Sequence, residues 1–156
     1  MEIDLVLIDI KEKENLRQLI KEYERELLKI DEPEEYKYLN SYWEKENRFP
    51  YFIKINNEIV GFVLVNGHTL VNKDGKNIAE FYIKKEFRKN GVGKTAAIKV
   101  FDKFLGNWEV REIEENLNAR TFWIKVIDNY TDHRFKETKM NNQDWFGWIQ
   151  TFNNRI

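Results

Sequence analysis

The sequence predicts a mixed α/β fold built around one sheet, and three observations lead to that prediction. Short apolar runs of strand length alternate with segments whose apolar residues recur every three or four positions, as on one face of a helix. Hydrophobic residues make up 42% of the 156 residues, which is enough for a buried core and too much for a disordered chain. No internal repeat or linker interrupts the chain, so we expect a single domain over residues 1–156.

The first 50 residues are predicted to contain one strand and two helices. Residues 3–8 form a short apolar run, and the following Asp9-Ile10-Lys11-Glu12 has the D-x-x-E form of a capping box that begins a helix. Pro33 breaks this helix, a second helix is predicted over about residues 34–45, and Pro50 ends the helical region. The apolar face of the first helix is expected to carry Leu16, Leu19, Ile20, Tyr23, Leu27 and Leu28.

The remainder of the chain alternates strands and helices. Two β-rich runs joined by Asn56-Asn57-Glu58 predict a hairpin, and residues 66–77 are expected to form a loop or small hairpin. The overall order is therefore strand, two helices, three strands, helix, strand, helix and two strands. The predicted elements after Pro50 are the hairpin strands 51–55 and 59–65, a strand 78–83, a helix 92–105, a strand 108–113, a helix 119–127 and a strand pair around 134–139 and 145–152.

Several classes of chemistry are excluded by composition. The chain has no cysteine, which rules out disulfides, cysteine zinc sites and cysteine nucleophiles. Ser41 is the only serine, and it lacks the glycines of a nucleophile elbow. His68 and His133 are far apart in sequence and belong to no cluster with metal-ligand spacing. We therefore expect no metal site.

Charge and hydropathy restrict the partners. Lys and Arg number 26 against 27 Asp and Glu, so the net charge of -1 provides no general attraction for nucleic acid. The first residues lack the basic and apolar regions of a signal peptide. No apolar run approaches the roughly 20 residues that span a membrane. The sequence thus predicts a soluble, cytoplasmic protein with neither nucleic acid nor membrane as a partner.

The segment of residues 78–95 carries the strongest chemical signal. A predicted strand leads into a turn containing Gly91 and Gly93, and the turn opens a predicted helix. Glycines allow close approach of a ligand to the backbone, and a helix start offers unpaired N–H groups and the positive end of the dipole. This arrangement suits a pyrophosphate or polyphosphate. The surrounding basic residues are Lys84, Lys85, Arg88, Lys89 and Lys94.

Three glycine motifs can be compared with this turn. A Walker A loop would end in Gly93-Lys94-Thr95, but its first glycine would fall at Arg88. A dinucleotide G-x-G-x-x-G fails because Gly91-Val92-Gly93 is followed by Ala96 at the third glycine position. The pattern R-x-x-G-x-G is satisfied by residues 88–93.

In this motif and its context, the sequence resembles the GNAT superfamily of N-acetyltransferases. A second strand–helix unit follows, and its residues 116–123 are similar to the family's N-x-x-A-x-x-[LF]-Y element, with Trp123 in the last position. The resemblance is best over residues 51–127. It implies a mostly antiparallel central sheet flanked by helices, and acetyl-CoA as co-substrate.

The resemblance also implies which residues meet the co-substrate. The main chain of the strand before the motif would hold the pantetheine arm and polarise the thioester carbonyl. The glycine turn would bind the pyrophosphate. Asn116 would hydrogen-bond the arm, Ala119 would leave room for it, and Trp123 would take the place of the tyrosine near the leaving sulfur. The implied strand residues are Phe81, Tyr82 and Ile83, and the implied turn residues are Arg88, Lys89, Asn90, Gly91, Val92, Gly93 and Lys94.

Proton transfer requires further residues. Glu80, on the strand expected to flank the thioester, is the candidate general base, with substrate binding or pairing to a cation as its alternative role. An indole cannot serve as a general acid at neutral pH, so Tyr82, or else Tyr130, is the candidate in place of Trp123. A thiol of pKa about 8.5 also leaves tolerably as thiolate without an acid.

The leading functional hypothesis is an N-acetyltransferase that moves an acetyl group directly to a primary amine of a small molecule or peptide. Without cysteine, no acetyl-cysteine intermediate can form. The alternative is a non-catalytic GNAT-fold module that binds CoA or a peptide, and a nucleotide-phosphate-binding protein comes third.

Acceptor selection is expected from the helices before the hairpin and from the C-terminal strands. An exposed strand or aromatic patch at the C-terminus would support a homodimer. Aromatic residues in these regions either line an acceptor pocket or belong to the core. They are Tyr38, Tyr42, Trp43, Trp145, Phe146 and Trp148.

Overall fold

The computed structural model describes residues 2–155, and these form an α/β fold with a seven-stranded, mostly antiparallel sheet flanked by helices. The predicted fold class and element order are confirmed. The elements are β1 (Ile3–Leu7), α1 (Lys13–Leu28), α2 (Ser41–Glu44), β2 (Arg48–Ile55), β3 (Glu58–Asn66), β4 (Lys76–Ile83), α3 (Val92–Lys103), β5 (Asn107–Ile113), α4 (Leu117–Tyr130), β6 (Lys136–Asn141) and β7 (Phe146–Asn153). The strand order is β1-β2-β3-β4-β5-β7-β6.

The chain divides into two compact units. The described part of the first comprises residues 2–65 and 80–96, and that of the second comprises residues 66–79 and 97–155. Both β4 and α3 therefore contribute residues to each unit. A single domain over residues 1–156 stays a prediction. Within residues 2–155, no helix is both long enough and apolar enough to cross a membrane.

The first unit contains the predicted hairpin. β1 pairs antiparallel with β2, from Ile3 opposite Ile55 to Leu7 opposite Tyr51. Asn56 and Asn57 connect β2 to β3, with φ angles of 48° and 66°. Positive φ at both central residues is the signature of a type I′ turn, which suits the twist of a hairpin and favours asparagine.

Three expectations for the first unit need correction. Leu27 and Leu28 are exposed, although periodicity assigned them to the buried face of α1. The helical spacing of apolar residues continues to the end of α1, but residues are buried only where another element packs against the helix. The second predicted helix is wrong over residues 34–40, because only Ser41–Glu44 is helical. Pro50 lies within β2 instead of ahead of it, and its carbonyl accepts a hydrogen bond from the Ile8 amide at 2.9 Å.

The non-helical stretch is held by tertiary contacts. Pro33 and Leu39 are buried, and the Tyr36 hydroxyl donates a hydrogen bond to Glu80. Ordering of these side chains by neighbours overrides the weak helical preference of a short segment. We call residues 29–40 the connecting segment.

The second unit is built on an aromatic core. The first half of β4 pairs parallel with β5, and β7 pairs antiparallel with both β5 and β6. The ring of Phe101 lies 5.1 Å from that of Trp108 and 4.9 Å from that of Phe152, both edge-on. The fully buried Glu109 carboxylate accepts hydrogen bonds from the main-chain amides of residues 70–72. These bonds give the predicted loop after β3 a defined conformation.

Candidate functional site

Glu80 lies in the first unit, on β4, and each of its carboxylate oxygens accepts a hydrogen bond from a tyrosine. The Tyr23 hydroxyl donates to Oε1 at 3.0 Å, and the Tyr36 hydroxyl donates to Oε2 at 3.1 Å. Tyr23 comes from α1 and Tyr36 from the connecting segment. Two donors from different elements hold the carboxylate in one orientation.

The surroundings of Glu80 favour its neutral form more than water does. Burial raises the pKa of Glu80 to about 7, and the negative charge of Glu24 acts in the same direction. The hydrogen bonds from Tyr23 and Tyr36 oppose this rise because they stabilise the ionised carboxylate. A carboxylate that titrates near neutral pH both accepts and releases a proton readily, which is what a general base requires.

Tyr82 follows Glu80 by two residues on β4. Its hydroxyl donates to Glu22 Oε2 at 2.8 Å, and its ring centroid lies 5.4 Å from that of Tyr23. Burial, together with Glu22, raises the pKa of Tyr82 well above its usual value. The phenol therefore keeps its proton across the physiological range, and its role as general acid stays a prediction.

The backbone of β4 at Tyr82 lies against a glycine. A Cβ built on Gly61 of β3 would stand 2.1 Å from the Tyr82 carbonyl oxygen, so no larger residue fits there without moving the strand. Ile83 is buried and Phe81 is half-buried. These contacts fix the main chain of residues 81–83. The predicted binding of a pantetheine arm by these residues involves their backbone groups only, and it stays a prediction.

The glycine turn leads from β4 into α3. Asn90 has φ 62° and Gly91 has φ 73°, and α3 begins at Val92. A Cβ built on Gly91 would meet no atom of residues 2–155 within 4 Å, so the space beside it is open, and its positive φ favours glycine. The first N–H groups of a helix have no acceptor within the helix. Together with the exposed side chains of Lys89 and Lys94, these features suit an anionic group.

Arg88, the first residue of the motif, is engaged within the first unit. Its Nε donates to the Ile83 carbonyl at 2.8 Å, and its guanidinium donates to Glu26 of α1 at 2.7 Å. The same guanidinium lies 5.5 Å from the ring centroid of Tyr82. The Arg88 side chain thus connects α1 to the end of β4. Because this side chain already has partners, we expect Arg88 to contact a pyrophosphate through its backbone.

The second predicted element lies in the second unit. Asn116 is the N-cap of α4, where its Oδ1 accepts a hydrogen bond from the Ala119 amide at 3.1 Å. Trp123 is buried, with ring centroids 6.1 Å from Phe101 and 5.0 Å from Phe122. Asn116 begins the helix and Trp123 packs in the aromatic core. Their predicted roles toward a co-substrate stay predictions.

Another buried carboxylate, Glu112 of β5, belongs to a polar network in the second unit. Gln150 Nε2 donates at 2.8 Å to both Glu112 Oε1 and Glu137 Oε2. Arg120 of α4 donates to both oxygens of Glu137, and its guanidinium stacks 3.6 Å from the ring centroid of Trp148. Burial raises the pKa of Glu112 to about 7. No residue among 2–155 donates to its other oxygen, Oε2.

The aromatic residues considered for an acceptor pocket divide into two groups. Tyr42 is buried, Trp43 Nε1 donates to the Ile8 carbonyl, Trp145 Nε1 donates to the Glu112 carbonyl and Trp148 lies under Arg120. Tyr42 therefore belongs to the core, whereas the three tryptophans are half-buried and have partners within the chain. The other two are exposed, and they are Tyr38 and Phe146.

One open cavity of about 520 Å³ lies in the second unit and contains none of the predicted site residues. It is lined by Asn72, Asn107, Arg134, Phe135, Lys136, Thr151, Phe152 and Asn153.

Tyr23, Tyr36 and Glu22 are functional-site neighbours that the sequence did not identify. Tyr23 was assigned to a helix face without a polar role, and Tyr36 is separated from Glu80 by 44 residues. A hydrogen bond between residues so distant in sequence leaves no local pattern to detect.

Comparisons with known proteins agree with this architecture. The model of the acetyltransferase (GNAT) family matches residues 14–126. No curated protein matches the chain.

Three similar solved structures share the fold. An acetyltransferase from Thermus thermophilus has a TM-score of 0.71 at 12% identity, covering 98% of this chain and 97% of its own. PaiA N-acetyltransferase from Thermoplasma acidophilum, solved in complex with coenzyme A, has a TM-score of 0.62 at 17% identity, covering 98% and 99%. A chimera of Vibrio cholerae spermidine N-acetyltransferase and hSSAT has a TM-score of 0.63 at 13% identity, covering 97% and 93%.

Proposed function

Because the chain belongs to the GNAT acetyltransferase family, we propose that it is an acetyl-CoA-dependent N-acetyltransferase acting on a primary amine of a small molecule or peptide. The observation that carries this proposal is the placement of Glu80, a carboxylate oriented by Tyr23 and Tyr36 on the strand that leads into the glycine turn and α3. The family match covers that strand, the turn and the N-cap of α4.

The residues present fit acetyl-CoA. The open space beside Gly91, the first amides of α3 and the exposed Lys89 and Lys94 suit its pyrophosphate. The structural relative solved with coenzyme A supports this choice of ligand. When bound, acetyl-CoA supplies an activated acetyl group and leaves as a thiol. The residues proposed to hold it are Phe81, Tyr82, Ile83, Arg88, Lys89, Asn90, Gly91, Val92, Gly93, Lys94, Asn116, Ala119 and Trp123.

Glu80 is proposed to take a proton from the acceptor ammonium, directly or through a water molecule. An amine reacts through its nitrogen lone pair, so the ammonium must lose a proton first. Tyr82 is proposed to donate its Oη proton to the leaving sulfur, in exchange for the hydrogen bond that it donates to Glu22. The chain has no cysteine to carry the acetyl group, so transfer is proposed to be direct.

An amine acceptor agrees with the charges around Glu80. Glu24 of α1 adds negative charge near this carboxylate, and Glu22 of α1 adds it beside the Tyr82 hydroxyl; negative charge attracts a cationic group. The relative named for spermidine acetylation supports an amine as acceptor. The cytoplasmic location, the homodimer and the absence of a nucleic acid partner stay predictions from the sequence.

A binding panel and a thiol-release assay test the proposal. We expect acetyl-CoA and CoA to raise the melting temperature and ATP and GTP to leave it unchanged. We then expect CoA release with at least one member of a panel of polyamines, aminoglycosides and N-terminal peptides. Stabilisation by ATP or GTP alone would refute the proposal. Binding of acetyl-CoA without CoA release from any amine would instead favour a non-catalytic CoA-binding module.

A further inference from the structure

We propose that Tyr23 and Tyr36 form a clamp that orients the Glu80 carboxylate and favours its ionised, proton-accepting form, so that both are positioning residues for acetyl transfer. The catalytic part of this inference rests on the proposed function. The effect of the clamp on the Glu80 carboxyl group itself does not, and it is measurable without any substrate.

The first argument is geometric. One phenol donates to each oxygen of Glu80, at 3.0 Å from Tyr23 and 3.1 Å from Tyr36. An ionised carboxylate has about four lone-pair positions, so two phenols leave about two for a water molecule or an ammonium group. The clamp therefore orients Glu80 and leaves acceptor capacity on its oxygens for a further donor.

The two arms of the clamp are built differently. Tyr23 is held on α1, with its ring edge-on to Phe62 at 5.6 Å and against Tyr82 at 5.4 Å. Tyr36 lies on the connecting segment, which has neither helix nor strand, and its ring is edge-on to Tyr38 at 6.0 Å. One arm thus depends on regular structure and the other on the packing of an irregular segment.

The second argument is the balance of charges around Glu80. Burial and the negative charge of Glu24 from α1 favour the neutral carboxylic acid, whereas the two phenols favour the carboxylate. Tyr42 of α2 contributes to the raised pKa of Tyr36 and is not among the causes of the Glu80 shift. Burial raises the pKa of both clamp tyrosines, so each stays a donor. Without one phenol, the balance shifts further towards the neutral acid, so the pKa of Glu80 rises.

Tyrosine-to-phenylalanine variants test the clamp, because they remove the hydroxyl and keep the ring. The Glu80 carboxyl resonance is assigned in ¹³C-glutamate-labelled protein by its loss in Glu80→Gln and titrated without substrate. Tyr23→Phe and Tyr36→Phe should each raise the apparent pKa of Glu80 by about one pH unit, a tenfold change in proton affinity. The acidic limb of kcat/KM should shift by the same amount, with activity recovering near pH 9.

The matched control is Tyr130→Phe. The Tyr130 hydroxyl also donates to a carboxylate, Asp102 Oδ1 at 2.7 Å, within the second unit. This variant should leave the Glu80 titration unchanged.

Two results would overturn the clamp. One is an unshifted Glu80 resonance in both phenylalanine variants. The other is a loss of activity that is equal at every pH, since that would mean a purely structural role. If the resonance shifts but Glu80→Gln retains full turnover, the catalytic part of the inference fails with the base assignment. If the resonance shifts and the acidic limb follows it, the clamp is supported.

Discussion

Glu80 in the first unit and Glu112 in the second are both carboxylates whose pKa is raised to about 7, yet their hydrogen bonds differ. Each oxygen of Glu80 accepts from a tyrosine hydroxyl. Glu112 accepts from the Gln150 amide through one oxygen, and no residue among 2–155 donates to the other. Burial is the largest cause of both shifts, so a raised pKa does not by itself distinguish a base from a buried structural group.

The polar groups around the two carboxylates have different structural roles. Around Glu80, the donors orient a carboxylate on the strand that leads into the glycine turn. Around Glu112, the Gln150 amide also donates a hydrogen bond to Glu137. Glu137 in turn accepts from Arg120, whose guanidinium stacks on Trp148. The first arrangement leaves a proton acceptor in a defined orientation, whereas the second joins α4 to β5, β6 and β7.

The strongest test of this contrast is the pair Glu80→Gln and Glu112→Gln. Loss of a general base costs about 10²- to 10⁴-fold, so kcat should fall at least a hundredfold in Glu80→Gln, with little change in the Kd for acetyl-CoA. In Glu112→Gln, kcat should stay within a few-fold of wild type. Steady-state kinetics and calorimetry measure both. Equal losses of kcat in the two variants would contradict the distinction drawn between the carboxylates.

The next largest effect is expected at the glycine turn, with a glycine of the second unit as control. Gly91→Glu should weaken acetyl-CoA binding at least tenfold, because it adds bulk, negative charge and left-handed strain where an anion is proposed to bind. Gly106 also has a positive φ, 129°, and the atom of the described residues that a Cβ there would meet within 4 Å is Arg155 Nε, at 3.8 Å. Gly106→Glu should leave the affinity nearly unchanged in a calorimetric titration. Unchanged affinity in Gly91→Glu would remove the pyrophosphate assignment.

A smaller effect, on stability, is expected for Glu112 as the pH changes. Its pKa is about 7 in the folded protein and near the ordinary value of 4.5 when unfolded, so the folded state binds more protons between these values. Its contribution to the free energy of unfolding is thus present below about pH 4.5 and lost as the pH rises through 7, by an amount on the order of 3 kcal/mol.

Denaturant titrations measure this effect. Wild type should lose free energy of unfolding relative to Glu112→Gln as the pH rises from about 4.5 to 8. A difference between the two proteins that is independent of pH would show that Glu112 ionises normally when folded.

Much of the fold followed from local patterns. Apolar runs and helical periods located all seven strands and the long helices to within a few residues, since each pattern repeats over a whole element. The prediction failed at residues 34–40, where Tyr36 and Leu39 are ordered by tertiary neighbours, and at Leu27, where the helical period continues past its packing partner.

The candidate site divides in the same way. Sequence alone identified Glu80, the strand before the turn and the glycines, because these residues lie within one continuous segment whose order carries the signal. Only the tertiary structure decided that Tyr23 and Tyr36 hold Glu80 and that Arg88 pairs with Glu26. It also decided that Glu112 has a similarly raised pKa but different hydrogen bonds. The physical reason is that hydrogen bonds and burial depend on which distant residues meet in space, and no local pattern records those meetings.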